Sequence, residues 1–276
     1  ELKKKKSPGK DNITTEMIKY APPELRKYLY KIIQLMWTNS ITPHTWNIAI
    51  TKLQFKKGDR HLISNYRPIT LLSVLFKLWE KILDKRIRHI ATKNIPHLQM
   101  GSLKHNSVTL ATLTMKIIIL KAKKENKPIY SIQVDMNKAY NRIKRKPLWT
   151  KLHNIGITDK LLEAIISTYT TATEQIKIGN KTSTHFKLPN GLRQGSIISP
   201  ILYLIDNIDL LNHLIKANTG INTNQHNMTN VPAIMFVDDL STLTNDITKL
   251  NQQFDIINEH AWTNGAIINY SKSTIA

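Results

Sequence analysis

The stretch AIMFVDDLSTLT, residues 233–244, places two adjacent carboxylates directly after an apolar run. Residues 233–237 suit a buried strand, Asp238 and Asp239 follow, and Leu240 resumes the apolar pattern. A buried strand ordinarily ends in a neutral turn, because removing an unpaired carboxylate from water is unfavourable. Two neighbouring carboxylates also repel each other. The stretch predicts two short strands around an acidic tip, which is either a solvated turn or part of a cation site.

A third carboxylate ends another apolar segment. Residues 128–136 are rich in β-branched and aromatic side chains and predict a strand that contains Asp135. Asp135 lies 103 positions before Asp238, so only folding can bring the two side chains together. A hard divalent cation with oxygen ligands would relieve both the burial and the repulsion, and Mg²⁺ is the usual ion where phosphates are also bound.

The charge of the chain favours a polyanionic partner. The 276 residues include 40 Lys and Arg against 19 Asp and Glu, which gives a net charge of +21, and residues 1–135 hold +17 of it. Nucleic acid or an acidic membrane surface fits this excess, and a merely lysine-rich surface is the alternative. No apolar stretch approaches the ~18 residues of a membrane span. We therefore expect a nucleic-acid partner and no membrane.

Cysteine usage and the first residues give weaker indications of context. The chain has no cysteine, which excludes disulfides and thiolate metal sites and suits an intracellular protein of the nucleus or cytoplasm. The first ten residues, ELKKKKSPGK, contain no apolar core of a signal peptide and no initiator Met. We expect the chain to be a segment of a longer protein.

Hydrophobic periodicity predicts helices and strands mixed along the chain, an α/β or α+β arrangement. The predicted helices cover residues 14–38 (interrupted near Pro22-Pro23), 69–90, 107–124, 146–155, 159–172, 198–217 and 245–264. The predicted strands cover residues 47–55 and 128–136, a hairpin of 175–180 with 184–188, and the pair around Asp238 and Asp239.

A loop before the predicted helix 198–217 adds a third feature to the two acidic strand ends. Gly191 and Gly195 permit close approach of a backbone or ligand, and Gln194 offers both a donor and an acceptor. The order along the chain is therefore a strand with one Asp, a Gly-Gln loop with a helix, and a hairpin with two Asp.

With these motifs in this order, the sequence resembles the reverse transcriptase domain of non-LTR (LINE-type) retrotransposons. The resemblance runs nearly from end to end and rests on several independent strings. These are SPGKDNIT (7–14), FKKGDRHLISNYRPITLLSVLFKLWEKIL (55–83), VDMNKAY (134–140), NGLRQGSIISP (190–200), FVDDL (236–240) and INYSKS (268–273).

The resemblance implies the fingers and palm of a right-hand polymerase in a single reverse transcriptase domain, residues 1–276. Residues 1–127 would be mainly fingers and residues 128–276 mainly palm, a small antiparallel sheet backed by helices. The chain is expected to lack the thumb and the endonuclease of the family. The implied reaction is RNA-directed DNA synthesis, in which a DNA primer on an RNA template is extended from dNTPs.

The resemblance also assigns the catalytic carboxylates. Asp135, Asp238 and Asp239 match the three palm aspartates of the family. Asp135 and Asp238 would be the principal metal ligands and Asp239 would support the site, which would hold two Mg²⁺ ions or, in their place, Mn²⁺. These ions would activate the primer 3′-hydroxyl and neutralise the leaving pyrophosphate.

The same matches assign substrate contacts. Tyr140 matches the aromatic side chain that blocks a ribose 2′-hydroxyl, and a packed core aromatic is the alternative. Lys56 and Arg67 match finger residues that hold the triphosphate; without the family each reads as a surface cation. Gln194 and Gly195 match the loop that positions nucleotide and template.

One further match and two departures complete this interpretation. Lys272 matches a late Lys that protonates the leaving pyrophosphate. Asn141 stands where the family usually has Asp, and Ser102 stands where an aromatic usually follows the Gly of QMG (99–101). The departures keep two alternatives open, a catalytically dead or truncated nucleic-acid-binding remnant and an intron-maturase-like RNA-binding relative. The sequence indicates neither the oligomeric state nor the activity of this chain alone.

Overall fold

A computed structural model describes residues 3–222 and 230–276. The helices are α1 (Thr15–Lys19), α2 (Pro23–Asn39), α3 (Val74–Ala91), α4 (Val108–Lys124), α5 (Ala139–Arg142), α6 (Arg145–Asn154), α7 (Asp159–Thr170), α8 (Ser199–Asp206), α9 (Ile208–Lys216) and α10 (Ile247–Asn264). The strands are β1 (Ile48–Phe55), β2 (Tyr66–Leu71), β3 (Ile132–Val134), β4 (Thr173–Ile178), β5 (Lys181–Thr182), β6 (Phe186–Lys187), β7 (Ile221–Asn222), β8 (Asn230–Val231), β9 (Ala233–Phe236), β10 (Asp239–Thr242) and β11 (Thr274–Ile275).

The chain forms two compact units that alternate along the sequence. The first unit comprises Glu1–Ile90 and Trp149–Ser199, and the second comprises Ala91–Leu148 and Pro200–Ala276. The predicted division into fingers and palm after residue 127 assigns function rather than compactness, and it stays a prediction.

The first unit is built on a sheet with the strand order β2-β1-β4-β5, in which β6 also pairs with β4. β1 and β2 form an antiparallel hairpin, and β1 pairs with β4 in parallel. Ala49, Leu72 and Phe76 form a fully buried cluster beside this sheet, with Trp46 packed against it. The core of the unit therefore lies where β1 and the start of α3 meet.

One prediction in the first unit is wrong at its beginning. The predicted helix 69–90 starts only at Val74, because residues 66–71 form β2 and pair with β1 as far as Ile50 and Leu71. The run ITLL fits either a buried helix or a strand by hydrophobicity alone. The non-local partner β1 decides for the strand.

The second unit contains a small antiparallel sheet with the order β11-β3-β10-β9. The predicted strand 128–136 is regular only over Ile132–Val134. The predicted helix 198–217 is interrupted at Asn207, whose side-chain amide donates to the carbonyl of Tyr203 at 3.0 Å. Apolar side chains of β10 and α10, such as Leu240 and Ile257, are buried in this unit.

The mixed α/β class is confirmed. The remaining predicted helices appear close to their predicted bounds as α1 with α2, α4, α6, α7 and α10, and the hairpins appear as β4 with β5 and β6 and as β9 with β10. Across residues 3–222 and 230–276, no helix is both long enough and apolar enough to cross a membrane.

Candidate active site

Three carboxylates of the second unit lie together at one end of the strands of its antiparallel sheet. Asp135 directly follows β3, Asp239 is the first residue of β10, and Asp238 precedes it in the turn from β9. β3 and β10 pair with Val134 opposite Leu240. Continued by one residue, this antiparallel register places Asp135 opposite Asp239, and the Cβ atoms of such a pair lie roughly 4.5–5.5 Å apart. The fold thus brings these three side chains of the sequence prediction together.

The Asp238 carboxylate is electrostatically disfavoured. Partial burial raises its pKa above the usual range for Asp, and the charges of Asp239 and Asp135 raise it further, against a lowering by the backbone N–H of Asp238 itself. Asp238 therefore lies within the electrostatic reach of the other two carboxylates. A bound cation would offset this repulsion and favour the ionised form.

The segment before β11 fixes Asp135. The Asn269 side-chain amide donates to Asp135 Oδ2 at 2.9 Å, and the Asn269 N–H donates to the Asp135 carbonyl at 2.8 Å. The Asp135 N–H donates to Ser273 Oγ at 3.1 Å. Lys272 Nζ lies 3.9 Å from Asp135 Oδ2, in a largely exposed ion pair that contributes little by itself.

Two tyrosines stack next to these carboxylates. The rings of Tyr140, on α5, and Tyr203, on α8, are nearly parallel, at 6°, with centroids 4.9 Å apart. Tyr203 is buried; this burial raises the pKa of its hydroxyl, and the charges of Asp238 and Asp206 raise it further. Tyr140 thus has its ring stacked on a buried support, and this support, Tyr203, lies within the electrostatic reach of Asp238.

The carboxylates do not form a preassembled metal cage. Within residues 3–222 and 230–276, no group of three or more His, Cys, Asp or Glu side chains could hold a metal ion by itself. Asp135, Asp238 and Asp239 are therefore neighbours in the sheet without forming a three-ligand cage.

In the first unit, the Gly-Gln loop passes directly over a strand backbone. Gly195 has φ 88°, and a Cβ at this position would lie 2.6 Å from the carbonyl oxygen of Thr70 on β2. Both the backbone angle and the contact require glycine. The preceding residue, Gln194, is held at this close approach.

Two buried charges anchor the same loop. Glu80, on α3, accepts hydrogen bonds from the Ser196 hydroxyl and from the Ile197 N–H, the latter at 2.8 Å. Arg193 is 1% exposed, donates to the carbonyl and side chain of Asn47, and lies near Glu80. Burial raises the pKa of Glu80 to about 7, although its hydrogen bonds and the charge of Arg193 oppose this rise.

Lys56 and Arg67 lie on the β1–β2 hairpin of the first unit. Lys56 directly follows β1, and its N–H donates to the carbonyl of Asn65 at 2.9 Å. Arg67 lies in β2 opposite Gln54. Both side chains are exposed at the loop end of the hairpin, where they are available to an anionic ligand.

The comparison with protein families decides the identity of this arrangement. Residues 54–276 match the family model described as reverse transcriptase (RNA-dependent DNA polymerase). The chain belongs to the reverse transcriptase family. The matched range contains every residue assigned above to the candidate site.

Relatives of this reverse transcriptase come from mobile elements. The chain is 24% identical over 269 residues to the transposon TX1 uncharacterized 149 kDa protein of Xenopus laevis, covering 98% of the chain and 20% of that protein. It is 26% identical over 246 residues to the retrovirus-related Pol polyprotein from type-1 retrotransposable element R2 of Popillia japonica, covering 88% of the chain and 33% of that protein. These matches confirm the predicted resemblance to LINE-type elements. The chain spans a fifth to a third of these relatives.

Solved structures agree on the fold. Apo telomerase from Candida tropicalis, truncated from its C-terminal domain, superposes with a TM-score of 0.60 at 18% identity, covering 90% of the chain and 55% of the telomerase chain. Telomerase from Candida albicans in complex with a fragment of telomeric RNA gives 0.60 at 16% identity, covering 92% and 46%. At these identities the likeness concerns the fold alone.

The sequence predicted site residues whose roles stay predictions, and it missed the residues that support them. In the second unit, Asn269 was within the quoted motif INYSKS, yet its contact with Asp135 was not foreseen. In the first unit, Glu80 is detectable as one of two acidic residues, with Asp84, on a buried helix face that is mainly apolar. Arg193 gave no comparable signal, because a loop Arg is usually exposed.

Proposed function

We propose that the natural protein containing this chain is an RNA-directed DNA polymerase that extends a DNA primer on an RNA template. The observation that carries this proposal is the convergence of Asp135, Asp238 and Asp239 at one end of the sheet strands in a chain of the reverse transcriptase family. The matches to mobile-element polymerases support a role in retrotransposition of the LINE type.

The carboxylates suit divalent cations, which we take to be two Mg²⁺ ions, with Mn²⁺ as a substitute. Asp135 and Asp238 would be the principal ligands and Asp239 would support them. Mg²⁺ is commonly bound through one or two carboxylates together with phosphate and water oxygens, so a three-carboxylate cage is not required. When bound, the ions lower the pKa of the primer 3′-hydroxyl and neutralise charge on the leaving pyrophosphate.

The side chains of the second unit orient the reactants. Tyr140, stacked on Tyr203, presents a flat, rigid ring suited to contact the sugar of an incoming dNTP and exclude a 2′-hydroxyl. Lys272, held beside Asp135, would donate a proton to the leaving pyrophosphate. In this proposal the antiparallel sheet is the palm, and residues 128–276 supply most of it.

The side chains of the first unit bind anionic and nucleotide groups. Lys56 and Arg67 would contact the triphosphate, because both are exposed cations on one hairpin. Gln194 and Gly195 would position nucleotide and template on a loop that Glu80 and Arg193 anchor. In this proposal residues 1–127 supply most of the fingers, and their excess of Lys and Arg attracts the nucleic acid.

The test is primer extension by the purified full-length protein with primed RNA, dNTPs and Mg²⁺. Wild-type protein should extend the primer, and Asp238→Ala should lower the rate by at least about 10³-fold, because phosphoryl transfer depends on charge compensation. Asp255→Ala is the matched control, since Asp255 is an exposed acid on α10 of the same unit. Synthesis by Asp238→Ala at the wild-type rate would refute the assignment of the site.

A second candidate is nucleic-acid binding without polymerisation. It is favoured by the two departures from the family pattern, Asn141 in place of an Asp and Ser102 in place of an aromatic residue. Salt-sensitive RNA binding by the wild-type protein without any nucleotide incorporation, in Mg²⁺ or in Mn²⁺, would select this function.

A further inference from the structure

The turn that carries Asp238 contains a backbone conformation that its residue type disfavours. Val237 and Asp238 alone connect β9 to β10, since Phe236 pairs with Asp239. Val237 has φ 60°, in the left-handed region, which costs an L-residue roughly 1–2 kcal/mol and is exceptional for a β-branched side chain. Glycine is usual at the first position of such turns. A conformation of this kind persists only where its surroundings hold it.

The side-chain amide of Gln99 holds this turn by both backbone groups of Val237. Gln99 Oε1 accepts from the Val237 N–H at 3.0 Å, and Gln99 Nε2 donates to the Val237 carbonyl at 3.3 Å. Oε1 also accepts from the Gly101 N–H at 2.9 Å. Gln99 is 1% exposed, so water does not compete for these bonds.

Gln99 is itself fixed by main-chain contacts with β9. The Met100 N–H donates to the Met235 carbonyl at 2.7 Å, and the Met235 N–H donates to the Leu98 carbonyl at 3.0 Å. Gly101 then passes so close to the turn that a Cβ would lie 2.4 Å from the Val237 nitrogen. The segment 98–101 is therefore a rigid support that aims the Gln99 amide at one residue of the turn.

We propose that Gln99 is a positioning residue, whose amide holds the Val237-Asp238 turn so that the Asp238 carboxylate is presented to the divalent cations. This inference rests on the proposed polymerase function. It adds to that function a side chain that touches neither substrate nor metal and acts through the backbone before Asp238.

The chemistry of the contact explains why an amide is needed. An amide offers a donor and an acceptor in one plane, which matches the N–H and carbonyl of a single residue. A carboxylate in this place would lack the donor, and an apolar side chain would leave both Val237 groups unpaired. Residues that orient metal ligands typically change metal affinity or activity 10–100-fold when replaced.

The test compares two buried glutamines of the second unit. Gln99→Met keeps side-chain length and removes the amide. Gln253→Met makes the same change at a fully buried glutamine that donates to Thr219, Pro232 and Leu243, away from the turn. Single-nucleotide incorporation by the full-length protein is measured against Mg²⁺ concentration, and Mn²⁺ binding is measured separately by electron paramagnetic resonance without nucleic acid.

Gln99→Met should need at least about tenfold more Mg²⁺ for half-maximal rate, with the KM for dNTP at high Mg²⁺ nearly unchanged. Gln253→Met should keep the wild-type Mg²⁺ requirement, because a lower folded fraction scales the rate without shifting a titration midpoint. An unshifted midpoint in Gln99→Met overturns the proposal. If the wild-type protein incorporates no nucleotide, the polymerase assignment fails, and Mn²⁺ binding then tests the role of Gln99. Weaker Mn²⁺ binding by Gln99→Met than by wild type supports the positioning role. Equal binding by the two proteins, or no binding by either, overturns it.

Hydrogen exchange of the wild-type protein provides a test that does not depend on whether a substituted protein folds. The amide hydrogens of Gly101 and Val237 are both bound to Gln99 Oε1 and should exchange slowly. Rapid exchange at both amides would show that the hydrogen bonds to Gln99 Oε1 are not formed in solution and would overturn the proposal.

Discussion

In the first unit, buried charges face partners of opposite sign, whereas in the second unit like charges lie together at one end of the sheet strands. Glu80 meets Arg193 and two hydrogen-bond donors inside the first unit. Asp238 in the second unit meets Asp239 and Asp135, which repel it. The first arrangement holds a loop in place, and the second is one that a cation would stabilise. The difference separates charge that is satisfied within the fold from charge that the proposed function assigns to metal binding.

The net charge of the two units follows the same division. The first unit holds 25 Lys and Arg against 10 Asp and Glu, and the second holds 15 against 9. The repelling carboxylates therefore lie in the less basic unit, with Lys272 Nζ 3.9 Å from Asp135 Oδ2. The more basic unit carries Lys56 and Arg67 on its hairpin.

Removal of a paired buried charge should have the largest effect on stability. Glu80→Ala removes one of the two carboxylates near Arg193, the other being Glu174, and leaves the Ser196 and Ile197 donors without their acceptor. We expect the free energy of unfolding to fall by about 3–5 kcal/mol, measured by denaturant titration. Glu163→Ala, at an exposed acid of α7 in the same unit, should change it by less than about 0.5 kcal/mol. Equal effects of the two variants would contradict the pairing.

The pH dependence of stability should sharpen the same contrast. The pKa of Glu80 is raised to about 7 in the folded state from 4.5, so the folded protein binds this proton more tightly than the unfolded chain does. Its contribution is greatest at low pH and is lost as the pH rises through about 7. Between about pH 5 and pH 8, wild type should lose roughly 2–3 kcal/mol relative to Glu80→Gln, in denaturant titrations at both pH values. A constant difference between the two proteins would show that Glu80 is not protonated by burial.

Neutralising a repelling carboxylate should have a smaller effect of the opposite sign. Without divalent cations and near pH 7, Asp238→Asn should raise the free energy of unfolding by up to about 1 kcal/mol, since partial exposure screens the repulsion. Thermal unfolding in EDTA measures the change, with Asp255→Asn as the control. Added Mg²⁺ should stabilise wild type more than the variant. Destabilisation by Asp238→Asn in EDTA would contradict the interpretation of the cluster.

The sequence draws attention to Asp238 and Asp239 but not to the residues that support the candidate site, for a physical reason. Asp238 and Asp239 conflict with the apolar run before them, and this conflict is visible locally. Gln99 accepts a hydrogen bond from Val237, 138 positions away, and Glu80 accepts one from Ile197, 117 positions away. Local sequence patterns do not reveal partners at such distances. A non-local partner also explains why the predicted start of the helix 69–90 is wrong. Residues 66–71 form β2 because they pair with β1. The predicted helix 198–217 also breaks at Asn207, whose side chain bonds to the Tyr203 carbonyl, and hydrophobic periodicity does not register such a bond.

The docking of Leu98–Met100 against β9 also bears on the solubility of the protein. β9 is the outer strand of its sheet, and residues 233–237 are an uncharged apolar run of the kind that pairs with copies of itself when exposed. Hydrogen bonds to Met235 from the segment 98–100 occupy that edge. Because this cover precedes β9 in the chain, it leaves the ribosome first and is already present when the aggregation-prone strand is synthesised.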